Sequence, residues 1–251
     1  MARLGHARRH TTFAAIITLA AAALLSPVVL MSAWVYAESL PLQVYSTAVG
    51  ESRPVAVDQW ISLRMNTGSG TEVRRGDEIC EVGLDHGESL FEVTRGSPRS
   101  LRVVAGDTVI GTRAAKFTVR VRDPKNMELL VSTGQVTVGT TLVREHQWAR
   151  ISPDGMRLRD LNDAEIARRL EWIDGHITFA GETLAEAVGE LNRYNTRKLI
   201  LADRSIGFIP IGGTFLVSDV QSFAAALRPL GVRALPTDQN HIRLVGAKGL
   251  N

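Results

Sequence analysis

The sequence predicts a membrane-anchored chain in which an all-β domain, a sandwich or β-roll, is followed by a small α/β domain of two β-α-β passages. Three observations predict it. An unbroken apolar run extends from Thr12 to Ala37, short alternating segments with frequent turn residues extend from Leu42 to about Ile151, and helical periodicity flanked by strands takes over beyond Ser152.

The stub from Met1 to Thr11 holds Arg3, Arg8 and Arg9 and no acid, and no Lys or Arg recurs until Arg53. That asymmetry predicts a cytoplasmic N-terminus and a translocated remainder. As a helix the run at 12–37 would be roughly 39 Å long, enough to cross a hydrocarbon core of about 30 Å once, with tilt. Val35, Tyr36 and Ala37 before Glu38, with Ser26 and Pro27 interrupting the run, also fit a cleavable signal peptide. Length favours the anchor; cleavage would leave a soluble chain.

All of the excess charge sits in the stub. The chain has 29 Lys plus Arg against 26 Asp plus Glu, so residues 38–251 carry 26 of each. A nucleic-acid partner has no electrostatic support from such a balance. The single cysteine, Cys80, has no intramolecular disulfide partner and reads as a small apolar residue in a strand.

Residues 38–151 read as the β-rich domain. Ile61, Leu63 and Met65 alternate with polar neighbours, and Phe117, Val119 and Val121 leave Arg120 and Arg122 on the opposite face. Gly68 to Gly70, Gly76 with Asp77, Gly96 to Pro98 and Asp123 with Pro124 mark turns. The composition shift at Ser152 to Gly155 suggests a boundary, so residues 152–170 read as a linker with a helix starting near Asn162, Asp163 and Glu165. Residues 171–247 form the α/β domain. Thr183 with Glu186 is a capping box ahead of a stripe of Leu184, Ala187, Val188, Leu191 and Tyr194. Ser218 with Gln221 can cap a third helix that Gly231 ends. Strands are predicted at His176–Ala180, Lys198–Ala202, Ile209–Val217 and His241–Val245.

Chemistry-bearing patterns are sparse. No HExxH, P-loop, Gly-x-Ser-x-Gly or metal-ligand spacing occurs. Ser152, Asp154 and His146 lie close in sequence but read as a solvated loop, and no catalytic residue, metal set or cofactor is assigned. Gly207, Gly212 and Gly213 suit a bulge or turn better than a phosphate cradle.

Gly87-Glu88-Ser89-Leu90-Phe91-Glu92-Val93, followed by Phe117-Thr118-Val119-Arg120 and Gly134-Gln135-Val136-Thr137-Val138, resembles the FecR domain of extracytoplasmic sigma-factor regulators. Trp172-Ile173-Asp174-Gly175, leading to Glu190-Leu191-Asn192-Arg193-Tyr194, is similar to the C-terminal part of these regulators, itself akin to the short N-terminal (STN) domain of secretins and TonB-dependent receptors. The resemblance implies a non-enzymatic regulator in the inner membrane, with its bulk in the periplasm. Its expected partner is the signalling domain of a TonB-dependent outer-membrane transporter, and its expected output is control of an extracytoplasmic-function (ECF) sigma factor in iron or siderophore uptake. The stub at 1–11 is too short to form the helical domain that holds a sigma factor in the family. A cleaved periplasmic structural or envelope-binding module is the alternative.

Partner binding is expected by strand addition along Ile211 to Val217, through Ile211, Gly213, Phe215 and Val217. Periodicity turns Tyr194 to the core and leaves Arg193 on a solvated face; the resemblance adds both to the partner-binding residues. Some members of the family cleave themselves at a Gly-Thr bond, through attack of the threonine hydroxyl on the preceding carbonyl. Gly111 and Thr112 offer those atoms, although ungapped alignment on Phe117-Thr118-Val119 places Ala114-Ala115 there, without a nucleophile.

Overall fold

Twelve strands follow one another through the first part of the chain in a computed structural model that describes residues 41–246. The expectations for the stub and for the run at 12–37 lie outside the described residues. No helix of the described residues is long and apolar enough to cross a membrane.

The strands are β1 (Leu42–Ser46), β2 (Arg53–Ala56), β3 (Ile61–Met65), β4 (Gly70–Arg75), β5 (Ile79–Val93), β6 (Ser100–Ala105), β7 (Thr108–Thr112), β8 (Ala115–Asp123), β9 (Asn126–Val138), β10 (Thr141–Arg144), β11 (Gln147–Ser152) and β12 (Gly155–Asp160). One layer runs β1-β4-β5-β6-β7-β9-β10 and the other β2-β3-β5-β8-β9-β11-β12. Every pairing is antiparallel except β5 with β6. The long strands β5 and β9 belong to both layers, so one hydrogen-bonded surface folds over on itself around a shared core that includes Phe91, Phe117, Val82 and Leu129. Phe91 and Phe117 stack at its centre, 5.2 Å between ring centroids.

Each bent strand changes layer at a glycine. β5 pairs with β4 up to His86 and with β8 from Gly87 onward, and Gly87 has φ +87°. β9 turns at Gly134, φ +79°. A Cβ at Gly87 would lie 2.2 Å from Ser69 Oγ and 2.6 Å from Ser69 Cα, and one at Gly134 would lie 2.5 Å from the Ala114 carbonyl oxygen. Glycine is required at these corners both by the backbone angle and by space.

The alternation read from sequence corresponds to burial: Ile61, Leu63, Met65, Phe117, Val119 and Val121 all face the core. Cys80 is buried on β5, where desolvation, aided by the charge of Asp58, pushes its thiol up to about 11. The expected boundary at Ser152 to Gly155 is corrected: it is a hairpin turn that pairs Ser152 with Gly155 and carries the all-β region on through β12 to Asp160. β12 is an edge strand with nearly every residue exposed, so it lacks the hydrophobic alternation that would have revealed it.

Helix α1 (Asp163–Leu170) follows, capped reciprocally by Asn162 and Glu165, and a 3-10 turn at Glu171–Asp174 ends at Gly175 with φ +75°. The remaining elements are β13 (His176–Thr183), α2 (Leu184–Tyr194), β14 (Lys198–Leu201), β15 (Pro210–Leu216), α3 (Val220–Ala226), β16 (Val232–Pro236) and β17 (His241–Gly246). The Thr183–Glu186 capping box is present. The cap of α3 is Asp219, which accepts from the Ser222 amide, one residue beyond the expected Ser218–Gln221 pair.

The two expected β-α-β passages exist in order but not as parallel neighbours. β13 pairs antiparallel with β15, while β14, β17 and β16 form a separate three-stranded sheet, so each passage crosses from one sheet to the other. Both helices and both sheets bury side chains in one core, among them Phe179, Leu191, Ile211, Phe223, Val232 and Leu244.

Candidate functional site: the seam between the two lobes

The outward face of the second β layer is where the sandwich meets the α/β lobe. Period two turns Glu88 and Leu90 of β5 outward while Ser89 and Phe91 point inward, and Arg120 of β8 sits directly opposite Glu88. On α2, Glu190, Arg193 and Tyr194 share one face because they are three and four residues apart. These two faces close on each other.

An alternating chain of charge results. Arg193 Nη2 donates to Glu88 Oε2 at 3.0 Å and its Nη1 to Glu190 Oε1, while Arg120 binds both oxygens of Glu190 at 3.1 and 2.7 Å. The Asn66 amide donates to Glu88 Oε2 at 2.9 Å and to the Tyr194 hydroxyl at 2.8 Å. Thr67 Oγ1 donates to the Arg193 carbonyl at 3.0 Å. Ser69 Oγ accepts from the Glu88 amide at 2.9 Å and donates to its carbonyl at 3.1 Å, fixing the strand that carries the carboxylate. Beneath the ions, Leu90, Trp172 and Tyr194 form a buried apolar cluster with Val217 packed against it.

Burial alone would raise the Glu190 carboxyl, but Arg193 and Arg120 outweigh it and hold the group below its ordinary value. Burial works against charge on Arg193 too, and Glu190 and Glu88 more than compensate. The Tyr194 hydroxyl is pushed up by burial and then by Glu88, so it stays protonated. Folded Glu190 therefore binds its proton more weakly than unfolded Glu190. Its contribution to stability is complete above the ordinary glutamate range, near pH 4.5, and is lost as pH falls through the lower folded value. Acid titration of unfolding should show the loss beginning below that range, and Glu190→Gln should flatten it.

Arg193 and Tyr194, expected to meet a partner, have their polar groups occupied inside the chain. Asn192 holds the Leu199 backbone from both sides of its amide. The strand expected to receive a partner has its outer edge open, since β15 pairs only with β13 among the described strands. Ile211 is 2% exposed, Phe215 packs edge-on against Phe223 at 5.0 Å, and Val217 joins the seam cluster, whereas Thr214 and Leu216 face outward. Gly213, opposite Phe179 in the ladder, has φ +126°, and the irregularity of β13 between Ala180 and Glu182 faces Gly212 and Ile211.

Gly111 and Thr112 sit in the β7 ladder, opposite Arg102 and Leu101. The Thr112 hydroxyl donates to the Gln135 carbonyl at 2.8 Å, and the Gly111 carbonyl accepts from Thr137 Oγ1 at 3.2 Å. The nucleophile and the carbonyl that self-cleavage would unite are thus held by different partners.

Sequence reasoning missed Asn66 and Thr67, which follow an alternating strand and read as ordinary turn residues, yet are 1% and 3% exposed. It also missed the meeting of Arg120 with Glu190, seventy residues apart. The one local signal was the i, i+3 pair Glu190–Arg193.

Residues 43–137 match the family model described as FecR protein, a span running from β1 into β9. That part of the chain is similar to a FecR domain. Two crystal structures of a candidate anti-sigma factor from Parabacteroides distasonis ATCC 8503 share the fold, with TM-scores of 0.67 and 0.64 at 18% and 19% identity. They cover 82% and 81% of this chain and 99% of their own, so the likeness extends well beyond the FecR match. A comparison with curated proteins finds no match.

Proposed function

We propose that the chain is a FecR-type transmembrane regulator, anchored in the inner membrane, whose periplasmic α/β lobe takes the signalling domain of a TonB-dependent outer-membrane transporter as an added strand. Occupancy of that edge then modulates ECF sigma-factor-dependent transcription, in the manner of iron or siderophore uptake control. The observation that carries the reading is the open edge of β15 in a lobe docked against a FecR domain. The fold shared with a candidate anti-sigma factor supports it.

The edge has a defined polarity. The Val217 amide donates inward to the Gly175 carbonyl at 3.0 Å. Inward and outward groups alternate along an antiparallel strand, so the amides of Gly212, Thr214 and Leu216 point away from β13. Proline at Thr214 removes an outward donor and leaves the inward ladder intact, whereas proline at Gly213 would demand φ near −65° where the chain has +126°. Thr214→Pro is expected to weaken capture of a transporter signalling domain at least tenfold in a pull-down. Undiminished capture by the folded variant rejects strand addition here.

A further inference from the structure

A cleft of about 800 Å³ opens beside the seam, floored by β8, β9 and β11 and walled by α1, β13 and α2. Its charge is uneven. At the seam each guanidinium has its carboxylate, but toward β12 the pairing fails. Glu128, opposite Arg120 on the next strand, is held by Arg122 at 2.8 Å and lies 3.6 Å from Arg150. Arg150 is directly opposite exposed Arg157 across the β11–β12 ladder, a like-charge pairing that costs stability unless something anionic covers it. Arg169 lies over the Trp148 ring, 5.1 Å from its centroid. Among the described residues neither Arg157 nor Arg169 has a carboxylate at ion-pair distance. Toward β12, Arg122, Arg150 and Arg169 line the cleft around Glu128, with Arg157 beside Arg150 at its rim, while Glu182 and Glu186 stand on the opposite wall.

We propose that this patch is a docking site for an acidic peptide segment of a partner protein, separate from the β15 edge. The patch crosses β8, β9, β11 and β12, three strand spacings or about 14 Å, which matches four or five residues of extended chain and exceeds a single phosphate or carboxylate. Arg169 and Trp148 stand inside the cleft, where a planar bilayer surface cannot reach them. Trp148 adds an apolar surface for the stems of glutamate side chains, and Arg150 and Arg157 supply donors to carboxylates. The charge balance of the chain outside the stub leaves this local excess, rather than any global attraction, to select the ligand.

Fluorescence anisotropy of labelled hexaglutamate with the purified full chain tests the assignment. Hexaglutamate should bind, hexaglutamine should not, and binding should weaken as salt rises from about 50 to 500 mM. The double reversal Arg150→Glu with Arg157→Glu should reduce binding at least tenfold, while Arg228→Glu, an exposed charge reversal in the α/β lobe, leaves it unchanged. Both altered patch residues are exposed and outside the hydrophobic cores, so the double reversal, which exchanges one like-charge pair for another, leaves the cores untouched. Thr214→Pro should also leave hexaglutamate binding unchanged, which separates this site from the strand edge. Equal binding of hexaglutamine, or undiminished binding by the double reversal, overturns the proposal. So does equal competition by glycerophosphoglycerol, the soluble headgroup of phosphatidylglycerol, which would assign the patch to lipid.

Discussion

Arg193→Ala is expected to destabilise the chain by about 3 kcal/mol or more, the usual cost of removing one partner from a buried ion pair. The variant leaves Glu88 with only the Asn66 amide and leaves Glu190 with Arg120 alone. Removing the whole network in favour of apolar residues would cost far less, because the penalty comes from stranded charge and not from lost attraction. Arg193→Lys keeps the charge but cannot reach two carboxylates with a planar fork, so it should recover only part of the loss. Urea unfolding of the three proteins measures this. A loss below about 0.5 kcal/mol for Arg193→Ala would place the clasp among ordinary surface pairs.

Gly87→Ala is expected to have an effect of similar size by a different route. The methyl group must adopt a backbone angle of +87°, a cost of about 1–3 kcal/mol, and it would collide with the backbone of Ser69 as well as its hydroxyl. Overpacking adds about 1–3 kcal/mol. Ser69 also holds the Glu88 amide and carbonyl, so moving Ser69 displaces the carboxylate that receives Arg193. The midpoint of thermal unfolding should fall by several degrees. In addition, the coupling between Arg193 and Glu88 in a double-mutant cycle should shrink in the Gly87→Ala background, which a purely local turn defect would not cause.

What could be read from the chain followed the range of the interactions. Strands such as Ile61–Met65 and helices such as Leu184–Tyr194 announce themselves through period and caps, because their determinants lie within a few residues. β12 and β16 escaped, the first as an exposed edge and the second as five residues ending in Pro236. The route of the β-α-β passages between two sheets was hidden because period alone does not say which sheet a strand joins. Glu88 is 7% exposed where α2 packs over it, and nothing within its own strand marks that cover. A covered outer face carries no local mark, so the contacts of Arg193 with Glu88 and of Tyr194 with Asn66 are not legible in the sequence.

The network of Glu88, Arg193, Glu190 and Arg120 is expected to make the β sandwich and the α/β lobe one rigid body. Residual dipolar couplings of backbone amides test it most directly. Couplings from β5, β8 and β9 and those from α2, β14 and β17 should fit a single alignment tensor in the parent chain and two in Arg193→Ala. Two independent tensors in the parent chain would contradict it.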